Sequence, residues 1–374
     1  MLSRISGVTK NYDWGSKELA PNFFGLAESS EPIAEIWFGT HPLGESVSVA
    51  ENKSLSITLG KHLSFLVKIL SAEKALSIQV HPNSKQAEAG FKLEQDQLIQ
   101  IGDPNRNYKD SSHKPEALVA LTNFRALCGF RPRAELLTVF TEFGKSEPEF
   151  ASLAYEITAG ASLAEIFESL IGNNELANRF CKTVDIAQSN SIAMAARSLV
   201  ETLLGQYPDD TGALVALMLN EVVLAPGEAI YLPAGNMHAY LSGLGFEVMA
   251  ASDNVLRAGL TSKHVDVAEV LKIADFSELL EPRLNPKKLA EGLIEYPVGC
   301  SEFRIYRAEV SGKNLLADLD LPASAMVVCT AGEVAVSTSL DEREVLTKSE
   351  VVFASGAKKL SLSGSGTVFV VLGD

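Results

Sequence analysis

The hydrophobic pattern of this chain changes period twice, and that limits its architecture more than any single motif does. Residues 1–133 read as short strands broken by turns, among them "EIWFGTH", "SFLVKILS", "ALSIQVH", "PEALVALT" and "FRALCGF". A polar insert, "GDPNRNYKDSSHK", separates two of them. Over residues 134–213, segments such as "SLAEIFESLI", "ELANRFCKTV" and "IAMAARSLVETLLGQY" carry apolar residues at helical spacing. Strand patterning returns over 214–265, although "TGALVALMLN" also fits one more helix. Residues 266–374 begin with a short helix, "VDVAEVLKIADF", and end in evenly spaced strands with glycine turns, as in a β-barrel or jelly roll. A β-α-β-β order predicts a mainly β protein with a helical insertion and a second, C-terminal β domain, which could be a degenerate copy of the preceding one.

A chain of 374 residues is too long for one compact core, and 46% hydrophobic content supplies material for more than one. The formal charge of −15 argues against a nucleic-acid partner, and any small anionic ligand would need a local cluster of Lys and Arg. No stretch approaches the roughly 20 apolar residues needed to span a bilayer, and "MLSRISGVTKNYDWGSKE" has no signal-like apolar run. Cys128, Cys181, Cys300 and Cys329 are scattered and form no CxxC pair. These features predict a cytoplasmic protein with no membrane association, and the sequence makes no obligate protein partner evident.

In "LSIQVHPNSK", Ser77, Gln79 and His81 alternate with aliphatics, so a strand would send all three polar groups to one face. "PGEAIYLPAGNMHAYLSG" fits the second cupin motif, G-x5-P-x-G-x2-H, at Gly227, Pro233, Gly235 and His238. Glycine admits turn conformations closed to other residues, and Pro233 with Gly235 sets a tight bend before the strand that His238 begins. The first cupin motif offers two ligands two residues apart and an acid further on. Gln79 and His81 supply the pair, and Glu116 in "SSHKPEALVAL" the acid. With a divalent metal, one carboxylate and three neutral ligands would leave about one net positive charge, a Lewis acid suited to hydroxyl or enediolate oxygens.

Taken together, "IQVHPN", "HKPE", "YLPAGNMHAYL", "SDNVLRAGLTSKHVD", "NYDWGS" and "AEIWFGTHP" resemble segments of the type I phosphomannose isomerases, in the right order over nearly the whole chain. The resemblance implies a metal-binding cupin (residues 1–133 and 214–265) interrupted by helices and followed by a cupin-like domain without metal ligands. It implies one Zn2+ per chain on Gln79, His81, Glu116 and His238, with Arg257 catalytic. It also implies a sugar-phosphate substrate, with mannose 6-phosphate and fructose 6-phosphate interconverted through a cis-enediol. Lys68, Ser77, His113, Lys114, Tyr240, Glu247, Asp253 and Lys263 are candidates for substrate binding or proton transfer. Lys68, Arg257 and Lys263 form a cationic group that could receive phosphate. His41 and His264 read as structural, and residues 300–374 hold no histidine. Two other readings fit a cupin: a metal-dependent oxygenase, against which Gln79 argues, and a non-catalytic sugar-phosphate sensor.

Overall fold

The computed structural model describes residues 1–25, 27–185 and 190–373, with the side chains of 313–318 left aside. One strand, His238–Ala250, organises the first sheet. Its second half pairs with Phe65–Ala72 on one side and Glu116–Ala120 on the other, in registers such as Glu247 opposite Lys68 and Met249 opposite Glu116. Its first half instead pairs with Phe124–Phe130, with Cys128 opposite His238, and with Gln79. The switch occurs at Gly243 (φ +124°), where a Cβ would lie 2.6 Å from the Asn123 carbonyl oxygen. A strand that changes partners at a bend closes a sheet into a barrel. Glu35–Phe38, Ala229–Leu232 and Leu219–Leu224 extend the two walls.

The strand expected over "LSIQVH" is reduced to Gln79–Val80, wedged between His238 and Leu256–Arg257. The strand-rich N-terminal segment also contains a helix that its pattern did not announce, Ser84–Asp96. It starts at a reciprocal capping box between Asn83 and Gln86, and a weak apolar stripe buries only Ala87, Gly90 and Glu94.

The helical insertion comprises Arg133–Phe143, Pro148–Ala159, Leu163–Leu170, Asn174–Thr183 and Ser191–Gln206. Ser162, Asn173 and Asn190 cap three of these helices. Phe143 packs edge-on against Phe150 and Phe180, and the same core continues onto Leu127, Phe130, Met237 and Leu256 of the barrel. The ambiguous "TGALVALMLN" divides: Gly212–Val215 is helical, and strand Leu219–Leu224 follows a single 3-10 turn.

In the C-terminal sheet, Lys359–Gly373 lies between Phe303–Asp320 and Ser324–Thr338, and Val351–Ser355 follows. The first strand of the chain, Leu2–Ser6, adds to this sheet with Leu2 opposite Ala354, although sequence order groups it with the first segment. The two β units share a core in which Phe246 stacks on Phe369 at 4.4 Å. No helix among the described residues is long and apolar enough to cross a membrane.

Candidate metal centre

His81, Glu116 and His238 come from three separate parts of the chain and meet with their donor atoms within 4.8 Å of one another. The Gly235 turn joins the two motifs directly: its N–H donates to the His81 carbonyl at 2.9 Å, and its φ of +81° is left-handed. His81 Nδ1 lies 2.7 Å from the Asn254 carbonyl, and His238 Nδ1 lies 3.0 Å from the Asn236 carbonyl. A carbonyl only accepts, so each Nδ1 carries the proton and each Nε2 presents a lone pair. Both Nε2 atoms lie 3.4 Å from Glu116. His81 Nε2, His238 Nε2 and Glu116 Oε2 are buried with no hydrogen-bond partner. Three orphaned acceptors facing one point are costly unless a cation fills the space, so these residues fit a metal. Gln79 stands directly opposite His238 in the antiparallel pair, which puts the two side chains on one face.

Burial pushes the His81 imidazole down to about 4, and the nearby Glu116 offsets this only in part. Burial alone would raise the Glu116 carboxyl, but Lys114 and His81 outweigh it and hold it well below the usual range. Lys114 Nζ lies 2.9 Å from Glu116 Oε1.

The structure does not group Lys68 with Arg257 and Lys263. Lys68 is locked at 3.2 Å from both Glu35 and Glu247, and the Tyr240 hydroxyl donates to Glu247 at 2.8 Å. Burial works against the charged ammonium, yet Glu247 and Glu35 together raise its pKa. Burial likewise raises the Glu247 carboxyl, more than Lys68 lowers it. Glu35 is the partner that the sequence reading missed. Its signal was a carboxylate inside the apolar run "AEIWF".

Arg257 and Lys263 do come together. With Ser77, Gln79 and Tyr12 they line a cleft of about 390 Å³. With Arg106, Lys109, Asp253 and His264 they line a second of about 640 Å³. Burial lowers both cations, and Arg257 lowers Lys263 further. Asp253 and Lys109 also border a third cavity, of about 740 Å³, onto which His41, His62 and His113 open. His113 Nε2 lies 2.5 Å from Glu302 of the C-terminal segment, so its nearest charged partner belongs to the other β unit. Asn254 was also missed: its side chain clamps the polar insert, accepting from Lys109 N and donating to the Asp110 and Ser112 carbonyls.

Residues 2–133 match the family described as phosphomannose isomerase type I, catalytic domain. The chain is 32% identical to a mannose-6-phosphate isomerase of Salmonella typhimurium, covering 98% of this chain and 97% of that one. It is 31% identical to the mannose-6-phosphate isomerase of Escherichia coli, covering 98% of each. A crystal structure of mannose 6-phosphate isomerase bound with zinc and yttrium superposes with a TM-score of 0.85 at 30% identity, covering 100% of this chain and 99% of that one.

Proposed function

The chain belongs to the type I phosphomannose isomerase family, and from that premise we propose that it interconverts mannose 6-phosphate and fructose 6-phosphate with one Zn2+ held by Gln79, His81, Glu116 and His238. The observation that carries this reading is the convergence of three buried, unpartnered donor atoms, His81 Nε2, His238 Nε2 and Glu116 Oε2. When bound, zinc supplies Lewis-acid polarisation of the sugar oxygens beside the reacting carbons.

The residues of the chain supply the remainder. Lys263, exposed and lining the 390 Å³ cleft, receives the phosphate, with Ser77 lining the same cleft. Arg257, half-buried beside Gln79, stabilises the negative charge that grows on the substrate oxygen. Asp253 takes the proton from C2 of mannose 6-phosphate. The C–H electron pair becomes the C1=C2 bond as the C1=O π pair moves onto O1, which takes up a proton to give the cis-enediol. Loss of the O2 proton and return of the carried proton to C1 then leave the carbonyl at C2. Among the candidates, Asp253 is half-exposed and shares a cleft with Arg257. Glu247 is sealed between Lys68 and Tyr240, Lys114 is committed to Glu116, and His113 to Glu302.

The test is turnover of mannose 6-phosphate before and after chelation, with zinc then restored. Activity should disappear and return. Folded, zinc-loaded protein without turnover overturns the reading and favours the sensor.

A further inference from the structure

Asp253 is held from behind. His41, with 6% of its side chain exposed, places Nε2 3.2 Å from Asp253 Oδ1. The Leu43 N–H donates to His41 Nδ1 at 3.2 Å, so in the neutral ring the proton sits on Nε2, the nitrogen nearer the carboxylate. Trp37 fixes the ring plane from the side, edge-on at 5.0 Å, and is itself tied through its indole N–H to Glu35 at 2.9 Å. The Asp253 backbone is pinned separately, its N–H donating to Asp110 Oδ2 at 2.8 Å. Only one carboxylate oxygen has a protein partner among the described residues. The side chain is 44% exposed at a wall shared by two clefts.

We propose that His41 is a positioning residue for the isomerisation, holding Asp253 ionised and in one rotamer so that its other oxygen faces the substrate. This rests on the reading of Asp253 as proton carrier. A histidine that serves packing alone needs only a carbonyl, as His62 has in Thr40 on the same cavity. His41 instead places its one donor nitrogen beside a carboxylate that water could have served.

The charges around Asp253 agree in direction. Burial alone would raise its carboxyl, but the neighbouring His41, followed by Lys114 and Lys68, holds it below the usual range. Lys109 and Arg257 share its cleft and Tyr12 lies within its field, while Asp110 is the acidic neighbour at its backbone.

The experiment uses the zinc-loaded full chain with His41→Leu, His41→Gln and His41→Asn. A Gln amide reaches as far as Nε2 and restores a neutral N–H donor, whereas Asn is too short. The first readout is the carbon-13 titration of the Asp253 carboxyl, assigned with Asp253→Asn. Its midpoint should rise by about one pH unit in His41→Leu and return most of the way in His41→Gln. The second readout is kinetic: kcat should fall about tenfold in His41→Leu with KM and zinc content unchanged, since an aligned proton acceptor acts in the transition state. If the Leu protein does not fold, the comparison of Gln with Asn carries the same test. An unmoved Asp253 midpoint in every folded variant overturns the pairing while leaving the proton-carrier reading intact. Wild-type turnover by Asp253→Asn sinks the proton-carrier reading instead, and the proposal with it.

Discussion

The barrel around His238–Ala250 and the C-terminal sheet are both built from long antiparallel strands, yet what they bury differs. The first encloses His81, Glu116, His238, Lys68, Lys114, Glu35 and Glu247, each less than 9% exposed. The second buries aliphatics such as Val327, Val336, Leu346 and Leu362, and among its described residues the buried polar ones are hydroxyls such as Ser324, Thr330 and Thr338. Charges inside a sheet persist only where each is paired or holds an ion. The first interior is therefore a set of mutual obligations, with Lys68 between two carboxylates and Glu116 among Lys114 and two histidines. The second makes no such demand, so its residues answer only to volume and shape. What separates a site from a scaffold here is which residues occupy inward positions rather than how the strands run.

The largest effect that would break this comparison comes from removing the charge at the centre of the first interior. Glu116→Ala leaves the Lys114 ammonium buried without its partner and takes one donor from the proposed cage. Zinc affinity should fall by more than the roughly 10–100-fold that follows loss of an outer hydrogen-bond partner, and turnover with it. Isothermal titration of the metal-free variant with zinc reads this directly. Wild-type affinity would remove Glu116 from the cage.

A comparable perturbation can be placed in the second interior. Val327→Glu puts a carboxylate among Val352, Val370 and their aliphatic neighbours. An uncompensated buried charge costs on the order of 3–5 kcal/mol, so urea denaturation at neutral pH should show a lower midpoint or an unfolded chain. Val327→Thr, of similar volume, should lose about 1–3 kcal/mol. Equal tolerance of Glu and Thr would mean that this interior is wetter than its lining suggests.

Acid should distinguish the two regions without mutation. In the metal-free protein the folded-state His81 imidazole sits at about 4 against an unfolded value of 6.5. A depressed folded value means stability that is complete above 6.5 and lost as the pH falls towards 4, about 3 kcal/mol across that window. Glu116, also depressed, removes more as the pH falls further. Glu247 is raised and acts oppositely, its contribution being present at low pH and lost as the pH rises through its folded value. Hydrogen exchange, corrected for intrinsic rates, should show protection in Phe65–Ala72 and Glu116–Ala120 falling from pH 6.5 to 4. Protection in Ser324–Thr338 and Lys359–Gly373 should change less. Uniform loss would make the two β units a single cooperative body, as their shared core around Phe246 and Phe369 would allow.

The two regions also differ in how much their sequences disclosed. Strands of the C-terminal sheet could be read from alternation and glycine turns, because packing alone dictates them. The proposed metal-binding residues stood out for a different reason: a histidine or glutamate among aliphatics has no use for water and must be explained. The same signal existed for Glu35 in "AEIWF", but an isolated acid in a strand does not name its partner, and Lys68 is 33 residues away. His41 reads as structural from its motif, and the proposed partner Asp253 is 212 residues distant and meets it only in the folded chain. The Ser84–Asp96 helix escaped notice because its stripe is faint and its cap, Asn83 with Gln86, carries the information instead. Periodicity reports burial against a neighbour, so it is silent on pairings made across the fold.

The smallest expected effect lies where the two regions touch. Glu302, from the C-terminal segment, pairs with His113 at 2.5 Å, and the Ser64 hydroxyl donates to the Glu302 carbonyl at 3.1 Å. The Glu302 and His113 side chains keep 20% and 29% of their exposure, so water competes for both and the pair should contribute no more than about 1 kcal/mol. Glu302→Gln and His113→Asn, singly and together, should therefore give a coupling energy of that size or less by chemical denaturation. The pair matters to the comparison even so. If the coupling is small in stability but Glu302→Gln alters kcat, the scaffold reaches into the site through this contact, and the line between the two regions falls at Glu302 rather than at the domain boundary. If neither quantity moves, the contact is an ordinary surface pair, and the C-terminal sheet acts on the site only through the core that Phe246 and Phe369 share.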